Sequence, residues 1–195
     1  MYEHNQHIPW FSWILLSRQM KKEKNLAKWR IDPKLLCKRY DQGRAGLFLN
    51  GERRIVGYAA LWETGKPSAV ELGSFYVHPD ERGRGIGTKV FKQCDAIIRE
   101  NKLFGIMFSR GEAVKYIAEK FNWIESRDQI GDARKIAEFC GPGSEDFLRL
   151  ICGWVKSEPA IVMRSQRKDI RPISPSLAIP CYDWRTEGRG YHLPY

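Results

Sequence analysis

The stretch Val77-His78-Pro79-Asp80-Glu81-Arg82-Gly83-Arg84-Gly85-Ile86-Gly87-Thr88 constrains this chain more than any other part of it. Before it, Val70–Val77 is rich in β-branched and aromatic residues, which suits a strand. Pro79 stops that strand because it has no N–H to give to a ladder. After it, Ile86, Val90, Phe91, Cys94, Ile97 and Ile98 recur at the spacing of an amphipathic helix. The order is strand, glycine-rich turn, helix. The first N–H groups of a helix have no internal partner, and the macrodipole makes that end partly positive. Gly83, Gly85 and Gly87 let the backbone curl and approach a ligand closely. Arg82 and Arg84 add forked donors that match phosphate geometry. The stretch reads as an anion site for a phosphorylated cofactor.

Two familiar phosphate motifs do not fit. The dinucleotide fingerprint needs glycines at its first, third and sixth positions, whereas these fall at the first, third and fifth, and Gly87-Thr88-Lys89 has the wrong order for a Walker motif. Arg82-x-x-Gly85-x-Gly87 resembles the Q/R-x-x-G-x-G/A acetyl-CoA motif of the GNAT N-acetyltransferase superfamily. The flanks resemble it too, with a strand ending Tyr76-Val77-His78-Pro79 and a helix opening Gly85-Ile86-Gly87. Further on, Glu119-Lys120-Phe121-Asn122-Trp123 resembles the family's E-K-x-G-F segment, with Asn where Gly is usual. The likeness covers about residues 10–126 and again 158–164.

The resemblance implies an α/β fold with a mixed, mostly antiparallel twisted sheet flanked by helices. It implies acetyl-CoA as acyl donor and transfer to a primary amine by direct attack in a ternary complex. Main-chain groups of Phe75, Tyr76 and Val77 would pair with the pantetheine arm, and the Val77 N–H would face the developing oxyanion. The loop of Arg82, Gly83, Arg84, Gly85, Ile86, Gly87 and Thr88 would hold the pyrophosphate. Glu71 stands eleven residues before Arg82, the spacing at which histone-acetylating members place their catalytic glutamate. A strand carboxylate beside apolar neighbours can have its pKa raised toward neutrality, as a general base requires. The competing reading is a solvent-facing or salt-bridged strand glutamate, and Glu63 is the second candidate. The position of the family's thiolate-protonating tyrosine is occupied by Ala118. Tyr116 is two residues away, roughly 200° around a helix, and is expected to point elsewhere. Ser109, Tyr116 or water is left to substitute.

The rest of the chain is read from pattern. Trp10, Trp13, Ile14, Leu16 and Met20 suit one face of a helix over about 10–28, and Asp32-Pro33 opens a second helix to Tyr40. Asn50-Gly51 joins two strands in a hairpin. A strand near 103–109, a helix from Glu112 to Phe121 and a strand near 122–126 follow, and the best final strand is 158–164. Between these, Asp132–Phe139 and Glu145–Val155 read as an inserted helical pair within 127–157, which shapes an acceptor site or an oligomer contact or is a surface excursion. One domain is expected over 1–170, with a Pro- and aromatic-rich tail over 171–195.

The net charge is +10, and residues 1–66 hold most of the excess, with 13 Lys/Arg against 6 Asp/Glu. Such a basic third attracts a nucleic acid, an acidic protein or a membrane surface, or simply helps anionic CoA to arrive. Five widely spaced cysteines without a C-x-x-C pair and four scattered histidines suggest neither a disulfide framework nor a metal site. A cytoplasmic setting without membrane insertion is expected, since the apolar run 8–16 is too short to span a bilayer and lacks the features of a signal peptide. An amine-bearing small molecule or protein is the expected acceptor, with a homodimer possible. Rival readings are a non-catalytic acyl-CoA-binding regulatory module and an acetyltransferase acting on nucleic-acid-associated substrates.

Overall fold

The computed structural model describes residues 7–109, 111–126, 136, 141, 143–155 and 161–165. Six strands are present among them: β1 (Ala45–Leu49), β2 (Ile55–Glu63), β3 (Ala69–Val77), β4 (Phe104–Ser109), β5 (Trp123–Glu125) and β6 (Ile161–Ser165). They form one sheet in the order β1-β2-β3-β4-β6-β5. Every neighbouring pair is antiparallel except β3 and β4. Five α-helices bounded within the described residues flank the sheet: α1 (Trp10–Lys22), α2 (Pro33–Asp41), α3 (Ile86–Glu100), α4 (Glu112–Lys120) and α5 (Ser144–Val155). The expected mixed, mostly antiparallel α/β architecture is what the chain adopts.

Parallel strands cannot be joined by a tight turn, and α3 supplies the crossover from β3 to β4. Its six expected apolar residues, Ile86 through Ile98, are all buried against Val56, Leu61, Val70 and Leu72 on one face of the sheet. Trp123 closes that core, its indole N–H donating to the buried Asp95 at 2.8 Å. The opposite face carries Tyr58, Ala60, Trp62 and Tyr76, packed beneath Trp13, Leu16 and Met20 of α1 and Leu36 of α2. Side chains alternate along a strand, and register sets Glu71 opposite Trp62 on one side and Ile106 on the other. Glu71 therefore projects from the same face as the α1/α2 core.

Beyond Glu71 that face is covered by α5. Phe147 and Ile151 of this helix pack with Ala69, Phe104, Ile106 and Ile136 in a third apolar cluster. The second half of the expected inserted pair is thus a packing element that completes the sheet's cover. Of Asp132–Phe139 only Ile136 lies within the described residues, where it is helical and buried. The 171–195 tail lies outside them. The final strand falls at Ile161–Ser165, between β4 and β5.

Three local outcomes differ from the sequence reading for physical reasons. Helix α1 stops at Lys22 instead of running to about 28: Glu23 turns to extended backbone (φ −78°, ψ 125°), and Lys28 Nζ folds back onto the carbonyls of Lys21 (2.7 Å) and Glu23 (2.6 Å) left at that end. The hairpin forms, but its loop spans 50–54, with the Asn50 side-chain oxygen accepting from the N–H groups of Glu52 and Arg54. Asn122, standing where the family segment has Gly, has φ +61°, a left-handed conformation that Asn tolerates better than most side chains.

Candidate active site

The site begins where two strands part. The parallel pairing of β3 with β4 runs only through Ala69↔Phe104, Val70↔Gly105 and Glu71↔Ile106. Past Glu71 the edge of β3 that faced β4 is released, while β4 continues against β6. Opposite Tyr58–Ala60 the register of β3 shifts, and Ser74 takes φ +53°, so the strand bends away at a bulge. A cleft of about 750 Å³ occupies the gap. Residues 72–77 line one wall, Met107, Phe108 and Ser109 another, and residues 83 and 85–88 the end.

Backbone alternation fixes one donor in this cleft. The His78 N–H donates to the Val56 carbonyl at 2.8 Å, which makes 56/78 a hydrogen-bonded antiparallel pair. The adjacent pair Gly57↔Val77 must then be non-hydrogen-bonded, so the N–H of Val77 turns away from β2 and toward the open side. The Val77 carbonyl, on the same side, accepts from Arg82 Nε at 3.2 Å. The Phe75 ring packs 6.5 Å from Phe91, and the Tyr76 hydroxyl is buried.

The glycine-rich loop behaves as its sequence demands. Gly83 (φ +80°) and Gly85 (φ +74°) both adopt left-handed backbone, and Gly85 is the N-cap of α3. The Arg82 N–H is taken by the Pro79 carbonyl at 3.2 Å, and the first bond of the helix runs from the Lys89 N–H to Gly85. The N–H groups of the first helical turn, at Ile86, Gly87 and Thr88, point past the helix end without intrahelical acceptors. A Cβ on Gly87 would lie 3.1 Å from Ile117 and 3.5 Å from Phe75, so glycine lets α3 sit close to α4 and β3. Neither flanking arginine is free: Arg82 pairs with Glu23 at 2.7 Å and Arg84 with Glu81 at 2.9 Å.

Glu71 lies on the wall of the cleft and is 3% exposed. Its Oε2 accepts from Arg30 Nη1. Its Oε1 lies over the Cα of Gly73, where any side chain would collide with it. Arg30, 2% exposed, also donates from Nε to Asp146 Oδ2 of α5 at 2.7 Å and stacks on Trp62. Burial raises the Glu71 pKa above the ordinary carboxylate value; the Arg30 charge opposes the rise, and Asp146 adds to it. The salt-bridged alternative weighed from sequence is thus met in geometry, with the carboxylate still bordering the cleft.

The remaining candidates separate cleanly. Glu63 pairs with Arg39 and is not on the cleft wall. Burial pushes its pKa up, but the hydrogen bond and charge of Arg39, a backbone hydrogen bond and the charge of Arg44 together outweigh this and lower it from its usual value. Ala118 is fully buried in the core. Tyr116, expected to point elsewhere, stands on the rim of the cleft with 59% of its surface exposed, and Ser109 lines the interior. Sequence reasoning missed Arg30, Trp29, Asp146 and Glu23. Arg30 meets Glu71 across 41 positions and Asp146 across 116, distances at which no local pattern can announce a partner.

A parted parallel strand pair with a glycine loop at its open end defines the class: an α/β domain of the acyl-CoA N-acyltransferase type. The acetyltransferase (GNAT) family matches residues 7–116, and the chain belongs to that family. Among solved structures, the Rv2747 protein of Mycobacterium tuberculosis, crystallised in complex with CoA, aligns over 83% of this chain and 98% of its own at 13% identity, with a TM-score of 0.61. N-acetylglutamate synthase from Neisseria gonorrhoeae, complexed with CoA and N-acetyl-glutamate, has a TM-score of 0.54 at 13% identity over 80% of this chain and 32% of its own. A GNAT acetyltransferase of Staphylococcus aureus Mu50 has a TM-score of 0.52 at 14% identity, covering 80% and 91%. Comparison with curated proteins finds no match. Among the described residues no group of His, Cys, Asp or Glu is arranged to hold a metal, and no helix is long and apolar enough to cross a membrane.

Proposed function

We propose that this chain moves an acetyl group from acetyl-CoA to a primary amine by direct attack. The observation that carries the reading is the Val77 N–H turned into the gap between β3 and β4, a short distance along the chain from the glycine loop. N–H groups of the loop and the first turn of α3 would hold the pyrophosphate, with Arg82 and Arg84 exchanging their carboxylate partners for it. The released edge of β3 at residues 75–77 would bond the pantetheine amides as a strand partner does. Glu71 Oε1 would take the proton from the incoming ammonium. The amine nitrogen then bonds the thioester carbon while its oxygen gathers charge at the Val77 N–H, where one preorganised donor can contribute roughly 3 kcal/mol. Collapse breaks the C–S bond, and the sulfur takes a proton from Tyr116, Ser109 or water.

Ala118 favours a second reading. With no hydroxyl at the family's usual acid position, the chain would bind acyl-CoA without consuming it. Thiol release from acetyl-CoA over a panel of amines, with wild type and Glu71→Gln, separates the two. The enzyme reading expects turnover on one amine class and a loss of about 10²-fold or more in Glu71→Gln, the scale of general-base catalysis. Thermal stabilisation by acetyl-CoA without turnover on any amine supports the binding module. No stabilisation at all overturns both.

A further inference from the structure

Resting on the acyl-transfer reading, we propose that the acceptor is a monoamine carried on a flat, aromatic framework, received by Trp29 and Tyr116 at the mouth of the cleft. Charge argues first. Of the three carboxylates on the cleft wall, Glu23 and Glu81 stand at the cofactor loop, where they face Arg82 and Arg84, so Glu71 is the one carboxylate left for the acceptor, and Arg30 already pairs it. A polyamine would bring further ammonium groups beside Glu71 without counter-charges there, and a buried unpaired charge is strongly disfavoured. Lys24, also on the wall, adds repulsion. One amine reaching Glu71 is compatible with this single, paired carboxylate; several are not.

The aromatic surface argues second. Trp29 is 37% exposed and Tyr116 59% exposed, and both line the cleft. Each ring has a cation over it, Arg149 at 4.3 Å from the Trp29 centroid and Lys120 at 4.2 Å from that of Tyr116. A ring that has one cation stacked on it is a poorer seat for a second on its other face, which suits an aromatic or apolar group instead. Trp29 is also held still, its indole N–H donating to Asp146 of α5. A fixed platform loses little freedom on binding. Phe108 and Leu150 continue the apolar wall inward.

Steady-state thiol release at saturating acetyl-CoA tests this with phenethylamine, hexylamine, spermidine and a lysine peptide. The arylalkylamine is expected to lead spermidine in kcat/KM by about tenfold, the effect of roughly one good ring contact plus one avoided buried charge. Trp29→Ala should raise KM for phenethylamine several-fold, Trp29→Phe should restore most of it, and the KM for acetyl-CoA should stay in place. Tyr116→Leu should likewise raise KM for phenethylamine, whereas Tyr116→Phe, which keeps the ring and removes only the hydroxyl offered to the sulfur, should leave that KM in place whatever it does to kcat. Spermidine or the lysine peptide as the better substrate overturns the proposal while leaving the acetyltransferase intact. If nothing turns over, calorimetric titration of phenethylamine into the CoA-loaded protein decides. Binding weakened by Trp29→Ala sustains the aromatic site although the acyl-transfer reading fails, and absence of binding overturns it.

Discussion

Burial and two neighbouring charges compete at the Glu71 carboxylate, and their balance can be read from a pH profile. Burial lifts its pKa, Arg30 pulls it down and Asp146 pushes it up. If Glu71 is the base, kcat/KM rises with pH through a limb lying above the usual carboxylate range, because only the ionised form accepts a proton. Arg30→Met removes the cation and should move that limb to higher pH; Asp146→Asn removes the anion and should move it lower. A loss of packing alone would not shift the two in opposite directions, so shifts of the same sign refute the assignment. Stability follows the same linkage. The folded chain keeps the Glu71 proton to higher pH than the unfolded chain, so this group's contribution is greatest in acid and declines as pH rises through the folded value. Arg30→Met leaves a lone buried carboxylate, expected to cost about 3–5 kcal/mol at neutral pH and less in acid, where Glu71 takes up a proton.

Elements were legible in the sequence in proportion to how local their causes are. The α3 stripe, the Asp32 cap on α2, whose Oδ1 accepts from the Lys34 and Leu35 N–H groups, and the glycine turn depend on neighbours within a few residues, and all were foreseen. The end of α1 was not; the carbonyls at that end are met by Lys28 from beyond the helix. The helicity of α5 was readable, but its seat on β4 and its grip on Trp29 and Arg30 follow from tertiary packing alone. The segment 23–27 after α1 forms part of the cleft wall, and Glu23 ties it to the cofactor loop through Arg82. A bound pyrophosphate must draw Arg82 from that carboxylate. Glu23→Gln is therefore expected to tighten acetyl-CoA binding about threefold, roughly 0.65 kcal/mol, measurable by calorimetry. Weaker binding instead would mean that the ion pair holds the loop in its receptive shape.

At the scale of the whole molecule the +10 net charge calls for a use. Its excess is concentrated in residues 1–66, and Lys21, Lys22 and Lys24 stand exposed at and just beyond the end of α1, with Lys24 on the cleft wall. Acetyl-CoA carries several negative charges, so a basic surface beside the cleft raises its rate of encounter without adding a contact in the complex. Screening separates encounter from chemistry. The Debye length falls from roughly 30 Å at 0.01 M salt to about 8 Å at 0.15 M, so kcat/KM for acetyl-CoA should drop several-fold over that range while kcat holds. Replacing the three lysines by glutamine should lower the rate at low salt and flatten its salt dependence. A salt-insensitive kcat/KM would remove steering as the reason for the charge. The nucleic-acid reading would then be tested directly, since the logarithm of its binding constant must fall linearly with the logarithm of salt concentration, with a slope set by the number of phosphates neutralised.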